Sequence, residues 1–249
     1  MKRIITILVV IIACTVAAVA QSDRRVQYKP YIDLRPMHFG ILVGAHLQDL
    51  ELENVGLQTI TNDDGSVTTH QIVCDADRWS PGFSVGVLAE LRLHDNFSLR
   101  MTPTMHFGAK HLTFIDLMNK DATGKLIKQT QDLKNTYFSL PIDIKFAAPR
   151  WNNHRPYLMA GINPMINMTK GDTDIIRLNR FSTMVEVGLG CDFYLPFFKL
   201  IPELKFCVGL SNVLDTNHIN ELRDANLKAF AGSVRSAQSK MVVLTFYFE

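Results

Sequence analysis

The run Gly82-Phe83-Ser84-Val85-Gly86-Val87-Leu88-Ala89-Glu90-Leu91-Arg92-Leu93 alternates without a break. Phe83, Val85, Val87, Ala89, Leu91 and Leu93 share one face, and Ser84, Gly86, Leu88, Glu90 and Arg92 share the other. Period two over about ten residues marks a strand with one apolar face, and that length suits a tilted bilayer crossing. Working outward, the pattern recurs. Phe97, Leu99, Met101, Pro103, Met105 and Phe107 oppose Ser98, Arg100, Thr102, Thr104, His106, Gly108 and Lys110. Phe138 to Phe146 alternates against Tyr137, Ser139, Pro141, Asp143 and Lys145, and Val185 to Phe193 against Glu186, Gly188, Gly190, Asp192 and Tyr194. Leu200 to Leu210 alternates against Lys199, Glu203, Lys205, Cys207, Gly209 and Ser211, and Val242 to Phe248 against Met241, Val243, Thr245, Tyr247 and Glu249. Two looser runs, Phe39 to Leu47 and the stretch after Arg155 to Ile166, bring the total to eight strands.

The connections between these runs are about 34, 3, 26, 8, 18, 4 and 29 residues long, long and short in strict alternation. An antiparallel up-and-down barrel with loops at one end and turns at the other produces this pattern, as in transmembrane β-barrels of bacterial outer membranes. The four long connections are then extracellular. The first carries its own hairpin, Leu57 to Ile60 and Val67 to Val73, around Asn62-Asp63-Asp64-Gly65. The last carries a short helix near Asn217 to Phe230, stopped at Gly232.

Alternation alone does not separate a membrane barrel from a soluble one whose apolar face points inward. The polar face does. It holds Gly40, Gly44, Gly86, Gly108, Gly161, Gly188, Gly190 and Gly209, as a narrow lumen requires and a watered surface does not. The apolar face carries no charge, which suits lipid. Aromatics gather at strand ends as two girdles. Phe39, Phe97, Phe146, Trp151, Tyr157, Tyr194, Phe197, Phe198, Phe246 and Phe248 lie at the turn side; Trp79, Phe83, Phe107, Phe138 and Phe181 lie at the loop side. Pro103, Pro141, Pro164 and Pro202 fall inside strands, where each removes a ladder donor, so bulges or local strain are expected there.

Residues 1–20 read as a secretory signal: Lys2 and Arg3, an apolar run from Ile4, then Ala18-Val19-Ala20 before Gln21. Residues 21–37 become a periplasmic tail and 38–249 the barrel. Losing Lys2 and Arg3 takes the 26 basic residues to 24, equal to the 24 acidic ones. A neutral chain has no basic surplus for nucleic acid. Cys14 sits in a faint lipoprotein box, with Ile12 bulky for its place. The remaining cysteines, Cys74, Cys191 and Cys207, are too few and too scattered for a disulfide framework or a zinc site. Asp63 and Asp64 read as a turn, since no further calcium ligands follow. No metal or cofactor is expected.

Ten charges face the lumen: Arg92, Arg100, Lys110, Lys145 and Lys205 against Glu90, Asp143, Glu186, Asp192 and Glu203. Lys199 and Glu249, at turn and chain-end positions, are left outside this set. Five against five in a narrow barrel predicts a paired network that plugs the interior, because unpaired charges there are costly. His106, His111, Thr136 and Ser139 could contribute to a lipid hydrolase, but no motif fixes their spacing. The expectation is a non-enzymatic barrel.

Several stretches resemble the PorT family of outer-membrane proteins. They are Leu140-Pro141-Ile142-Asp143-Ile144-Lys145-Phe146, Arg155-Pro156-Tyr157-Leu158-Met159-Ala160-Gly161, Phe197 to Phe206, Gly209-Leu210-Ser211-Asn212 and the closing Phe246-Tyr247-Phe248-Glu249. Met37-His38-Phe39-Gly40 and Phe97-Ser98-Leu99-Arg100 extend the likeness over most of the chain. The resemblance implies a component of the type IX secretion system, which delivers cargo with a C-terminal signal to the cell surface. It implies other secretion-system proteins as partners, no catalytic residues, and prolines that belong to the family pattern. Glu249 departs from the aromatic last residue usual in such barrels, so recognition by the insertion machinery falls to Phe246 and Phe248. Two rival readings are a surface barrel that binds an adhesion ligand through its loops and a lipid-modifying enzyme.

Overall fold

A computed structural model of the chain describes residues 26–61, 67–76, 78–120, 124–169, 175–221 and 225–249. The signal segment 1–20, Cys14, the first residues of the tail and the Asn62–Gly65 turn lie outside the described residues. The strands, in chain order, are β1 (Met37–Asn54), β2 (Leu57–Thr61), β3 (Val67–Ala76), β4 (Ser80–Arg92), β5 (Phe97–Met101) and β6 (Thr104–Lys120). They continue as β7 (Leu126–Ser139), β8 (Ile142–Ala147), β9 (His154–Asn167), β10 (Phe181–Tyr194), β11 (Lys199–Gly209) and β12 (Val234–Phe248). A 3-10 turn, Thr216–Glu221, and a helix α1, Ala225–Ala231, occupy the last loop.

Eight crossings close into a ring. β1 pairs with β4, β4 with both β5 and β6, β5 with β8 and β6 with β7, β8 and β7 with β9, then β9 with β10, β10 with β11, β11 with β12, and β12 with β1. β5 and β6 form one crossing interrupted at Thr102-Pro103, and β7 and β8 form another interrupted at Leu140-Pro141. The β2–β3 hairpin stands above the ring, where Ile72 to Ala76 pairs with Asp116 to Leu112 of β6.

The prolines do not create the expected bulges. Pairing keeps one register on both sides of Pro103, from Gly86↔Thr104 to Ala89↔Met101, and likewise across Pro141, Pro164 and Pro202. Proline loses its donor but keeps its acceptor. The Val87 amide donates to Pro103 O at 3.1 Å and the Leu140 amide to Pro164 O at 3.0 Å. The ladder therefore drops a bond without slipping.

The long connections are also shorter than the sequence suggests. β6 and β7 run on together as a hairpin to Lys120↔Leu126, and β1 and β12 stay paired to Asn54↔Val234. Along β1, Phe39, Ile41, Val43 and Leu47 face outward and are exposed, followed by Asp49, Glu51 and Glu53. On β12 the matching outward face changes between Val242 and Lys240, which lie opposite Leu47 and Asp49. This change marks the outer edge of the lipid-facing band.

The outward apolar side chains include Phe39 at 63 % exposure and Phe181 at 67 %. Tyr157 and Tyr194, expected in the turn-side girdle, are instead buried in the lumen. Their parity is that of Gly161 and Asp192, so the alternation itself places them inside.

The tail does not hang free over residues 28–35. Asn153 accepts from the Tyr28 amide, the Arg150 guanidinium donates to the Tyr28 and Lys29 carbonyls, and Asp33 accepts from the Tyr194 hydroxyl at 2.7 Å. This segment lies against the turn between β8 and β9.

Candidate functional site

Ladder register builds the lower lumen. Glu90, Arg100 and Asp143 are direct cross-strand neighbours, followed by Gly161 and Glu186 on the next two strands. Gly161 leaves the space that lets Asp143 and Glu186 share a cation: a Cβ there would lie 2.2 Å from Asp143 Oδ1. Lys205 fills it, donating to Glu186 at 2.8 Å and to Asp143 at 3.2 Å. Gly190 does the same for Tyr157, whose ring would stand 2.4 Å from a Cβ.

Arg100 is the centre. It is fully buried, donates to Glu90 through Nε at 3.0 Å and Nη2 at 2.8 Å, and reaches Glu203 at 2.5 Å. The Tyr157 and Tyr247 hydroxyls donate to the two Glu203 oxygens at 2.5 and 2.6 Å, and both rings pack against the Arg100 guanidinium. Lys145 joins Asp192 at 2.9 Å and approaches Glu90 at 3.5 Å. Each ion thus has several partners, the condition under which buried charge is tolerated.

Eight of the ten charges expected in the lumen meet here. Two do not. Arg92 sits at the turn-side rim, paired with Asp95 and the Leu34 carbonyl. Lys110 lies higher, buried, donating to Ser239 at 3.2 Å with its ammonium over the Tyr137 ring; among the described residues no carboxylate is within ion-pair distance. Conversely, Lys199 and Glu249 belong to the network. Lys199 links Asp192 at 3.3 Å to Glu249 at 3.1 Å, and Glu249 also meets His38 Nδ1 at 2.5 Å. Both have inward parity, the signal that discounting them as end positions discarded. Phe246 and Phe248 face outward at the turn-side rim, both exposed.

Above the ions lies a neutral polar belt. Ser84 bridges His46 at 2.8 Å and His106 at 2.7 Å, and His106 Nε2 meets Ser139 Oγ at 3.0 Å. His106 and Ser139 are brought together, but both are buried. His111 points away, 2.5 Å from Asp132, and Thr136 bonds Thr169 through its amide. The cavities beside this belt measure about 20 and 10 Å³, room for a water at most.

At the loop end the lumen turns apolar. Leu50, Ile72, Leu112, Phe114, Leu133, Ile176, Leu214 and Phe230 form one buried cluster with Cys74 among them. Polar clasps hold its rim. Asp116 accepts from the Asn119 side chain at 2.8 Å and lies 2.7 Å from His70 of β3; burial alone would raise its carboxyl, but these bonds and the Met118 and Asn119 amides hold it below the usual range. Asp215 accepts from Arg177 Nε at 2.9 Å; burial opposes ionisation, but Arg177 and the Asn217 amide keep this carboxyl low too.

A lipid-banded ring of eight crossings with a filled lumen is the architecture of an outer-membrane barrel. Residues 19–215 match the family described as "Outer membrane protein beta-barrel domain". The chain belongs to that family. Like its other members, it resides in the outer membrane and crosses it repeatedly. Three solved structures resemble it at low identity. Outer membrane protein OprG from Pseudomonas aeruginosa is 11 % identical with TM-score 0.44, covering 84 % of this chain and 93 % of that one. Neisserial surface protein A is 12 % identical with TM-score 0.40, covering 86 % and 98 %. Ail, the attachment invasion locus protein of Yersinia pestis, is 12 % identical with TM-score 0.35, covering 86 % and 99 %. No curated protein matches the chain by sequence.

Proposed function

We propose that the protein is a non-enzymatic, plugged barrel that serves type IX secretion as an accessory or assembly component. The sealed lumen carries this reading. With Arg100, Lys145 and Lys205 filling its lower half and the apolar cluster its upper end, the interior offers no route for cargo. What remains for function is the outside: loops, wall and periplasmic face, acting through contacts with the bilayer and with other secretion proteins. The PorT-like stretches support the choice of secretion system. The enzyme reading is disfavoured because Ser139 is wholly enclosed. Deleting the gene should abolish surface delivery of cargo bearing the C-terminal signal; undiminished delivery overturns the proposal. The purified barrel should carry no stable single-channel current in planar bilayers, and steady conductance would contradict the plugged lumen.

One observation favours a second reading, a surface-interaction protein. The loop end is a built structure, with the β2–β3 hairpin, the β6–β7 extension and α1 around their own core. Replacing these loops separates the two: adhesion would fall and secretion survive if the loops bind an external ligand.

A further inference from the structure

The outer wall carries a groove that the secretion reading does not use. Met105, Phe138, Ile166 and Phe181 stand opposite one another on β6, β7, β9 and β10, as a single cross-strand row facing outward. Above the row β7 continues upward while β9 ends at Asn167, leaving a step in the wall. Met168 and Arg177, Leu178 and Arg180 line this step, with the Met168 amide donating to Thr136 O at 2.9 Å and the Asn167 amide to Arg180 O at 2.7 Å. The result is an open groove of about 770 Å³, against about 20 Å³ for the cavities inside the barrel. Its floor is apolar: Met105, Phe138, Ile166 and Met168. Its upper lip holds Arg177, Arg180 and Asp215.

Among the described residues the lip carries two guanidinium groups against one carboxylate. Arg177 is fixed by Asp215, through Nε at 2.9 Å and Nη2 at 2.8 Å. Arg180 is exposed and meets no carboxylate among the described residues; its guanidinium lies 5.9 Å from the Phe181 ring centroid. The level in the membrane is fixed as well. On the adjoining strands the outward face passes from Phe107 to the His111–Asp132 pair, so the groove spans the line where hydrocarbon gives way to headgroups.

We infer that this groove binds one acylated, phosphate-bearing lipid of the outer leaflet. An acyl chain lies along Phe138 and Ile166, and the phosphate sits on Arg180. The apolar floor is continuous with the lipid-facing wall, and guanidinium groups match phosphate in geometry and charge. A soluble anion would have no use for the floor, and a neutral lipid none for the lip.

Native mass spectrometry of the full-length barrel tests this, with lipid A, enzymatically dephosphorylated lipid A and inorganic phosphate as probes. Wild-type protein should retain phosphorylated lipid A, and Arg180→Glu should weaken retention about tenfold or more, the loss of a charge-assisted contact. Removing the phosphate from the lipid should cost wild-type a similar factor. Ile166→Trp, which fills the floor and leaves Arg180 in place, should weaken retention independently. Heat-modifiable gel migration confirms that each variant is folded. Equal retention by Arg180→Glu, equal retention of the dephosphorylated lipid, or inorganic phosphate binding as well as the lipid would each overturn the inference.

Discussion

The two ends of the interior are sealed by opposite chemistry. Toward the turns, Arg100, Lys145 and Lys205 are locked between carboxylates. Toward the loops, Leu112, Phe114 and Phe230 pack without charge. The same strands build both. β1 carries Phe39, Ile41, Val43 and Leu47 outward with His38, His46 and Gln48 buried, then Asp49, Glu51 and Glu53 outward with Leu50 buried. Period two is preserved while the sense of inside and outside reverses. The reversal follows the solvent: below it the outer medium is lipid, above it water. A strand that leaves a membrane must exchange its faces, and the filling of the lumen exchanges with it.

Damage to one end should therefore spare the other, and the ends should respond to different insults. The largest effect is expected from Arg100→Met. It removes the guanidinium shared by Glu90 and Glu203 in the lower lumen and should cost about 3–5 kcal/mol in denaturant unfolding from vesicles. Replacing both carboxylates by leucine as well should restore only part of that, because the buried Tyr157 and Tyr247 hydroxyls then lose their acceptor. Leu112→Ala should open a cavity in the upper cluster at a cost of about 2–5 kcal/mol. Here the readout is regional: protease should cut the loop end sooner, while heat-modifiable migration of the barrel is unchanged. Loss of migration would show that the two cores unfold as one.

Acid should single out the upper end. Asp116 and Asp215 are held below the ordinary carboxyl range when folded, so their contribution is complete above the unfolded value near 3.9 and fades as pH falls through the lower folded values. Proteolysis of the loop end should therefore accelerate only in strong acid, and Asp116→Asn should reduce that pH dependence. Smallest of all is the exposed Lys240–Glu51 pair above the lipid line. Lys240→Ala should change stability by less than about 1 kcal/mol, and added salt should erase even that.

The ring of eight was legible because lipid outside and small or charged residues inside make period two unmistakable, as Gly82 to Leu93 shows. So was the β2–β3 hairpin, but the upper reaches of β6 and β7 were not. Along Leu112 to Asn119 and Gln131 to Thr136 the apolar parity switches, so a search for one continuous apolar face ends where the membrane does and takes the rest for loop. The charged set was readable by parity down to Glu203 and Lys205. Lys199, Glu249, Tyr157 and Tyr194 had the same parity but were assigned by their position near strand ends. What alternation cannot supply is height along the barrel, which is why Lys110 and Arg92 were grouped with ions that they never meet. The groove under Arg177 and Arg180 depends on a step between β7 and β9, and no local pattern encodes a difference in strand length.

The segment beneath the barrel has a geometric consequence. β1 and β9 stand four crossings apart in either direction around the ring, so they are diametrically opposed. The chain enters β1 at Met37, yet Tyr28 and Lys29 are pinned to Arg150 and Asn153 beside the start of β9. Residues 28–36 therefore form a chord across the whole diameter of the turn-side opening. A pull on anything preceding Val26 would be borne by the far wall rather than by the strand it precedes. The barrel would resist such a load as a closed hoop, not as a single stave.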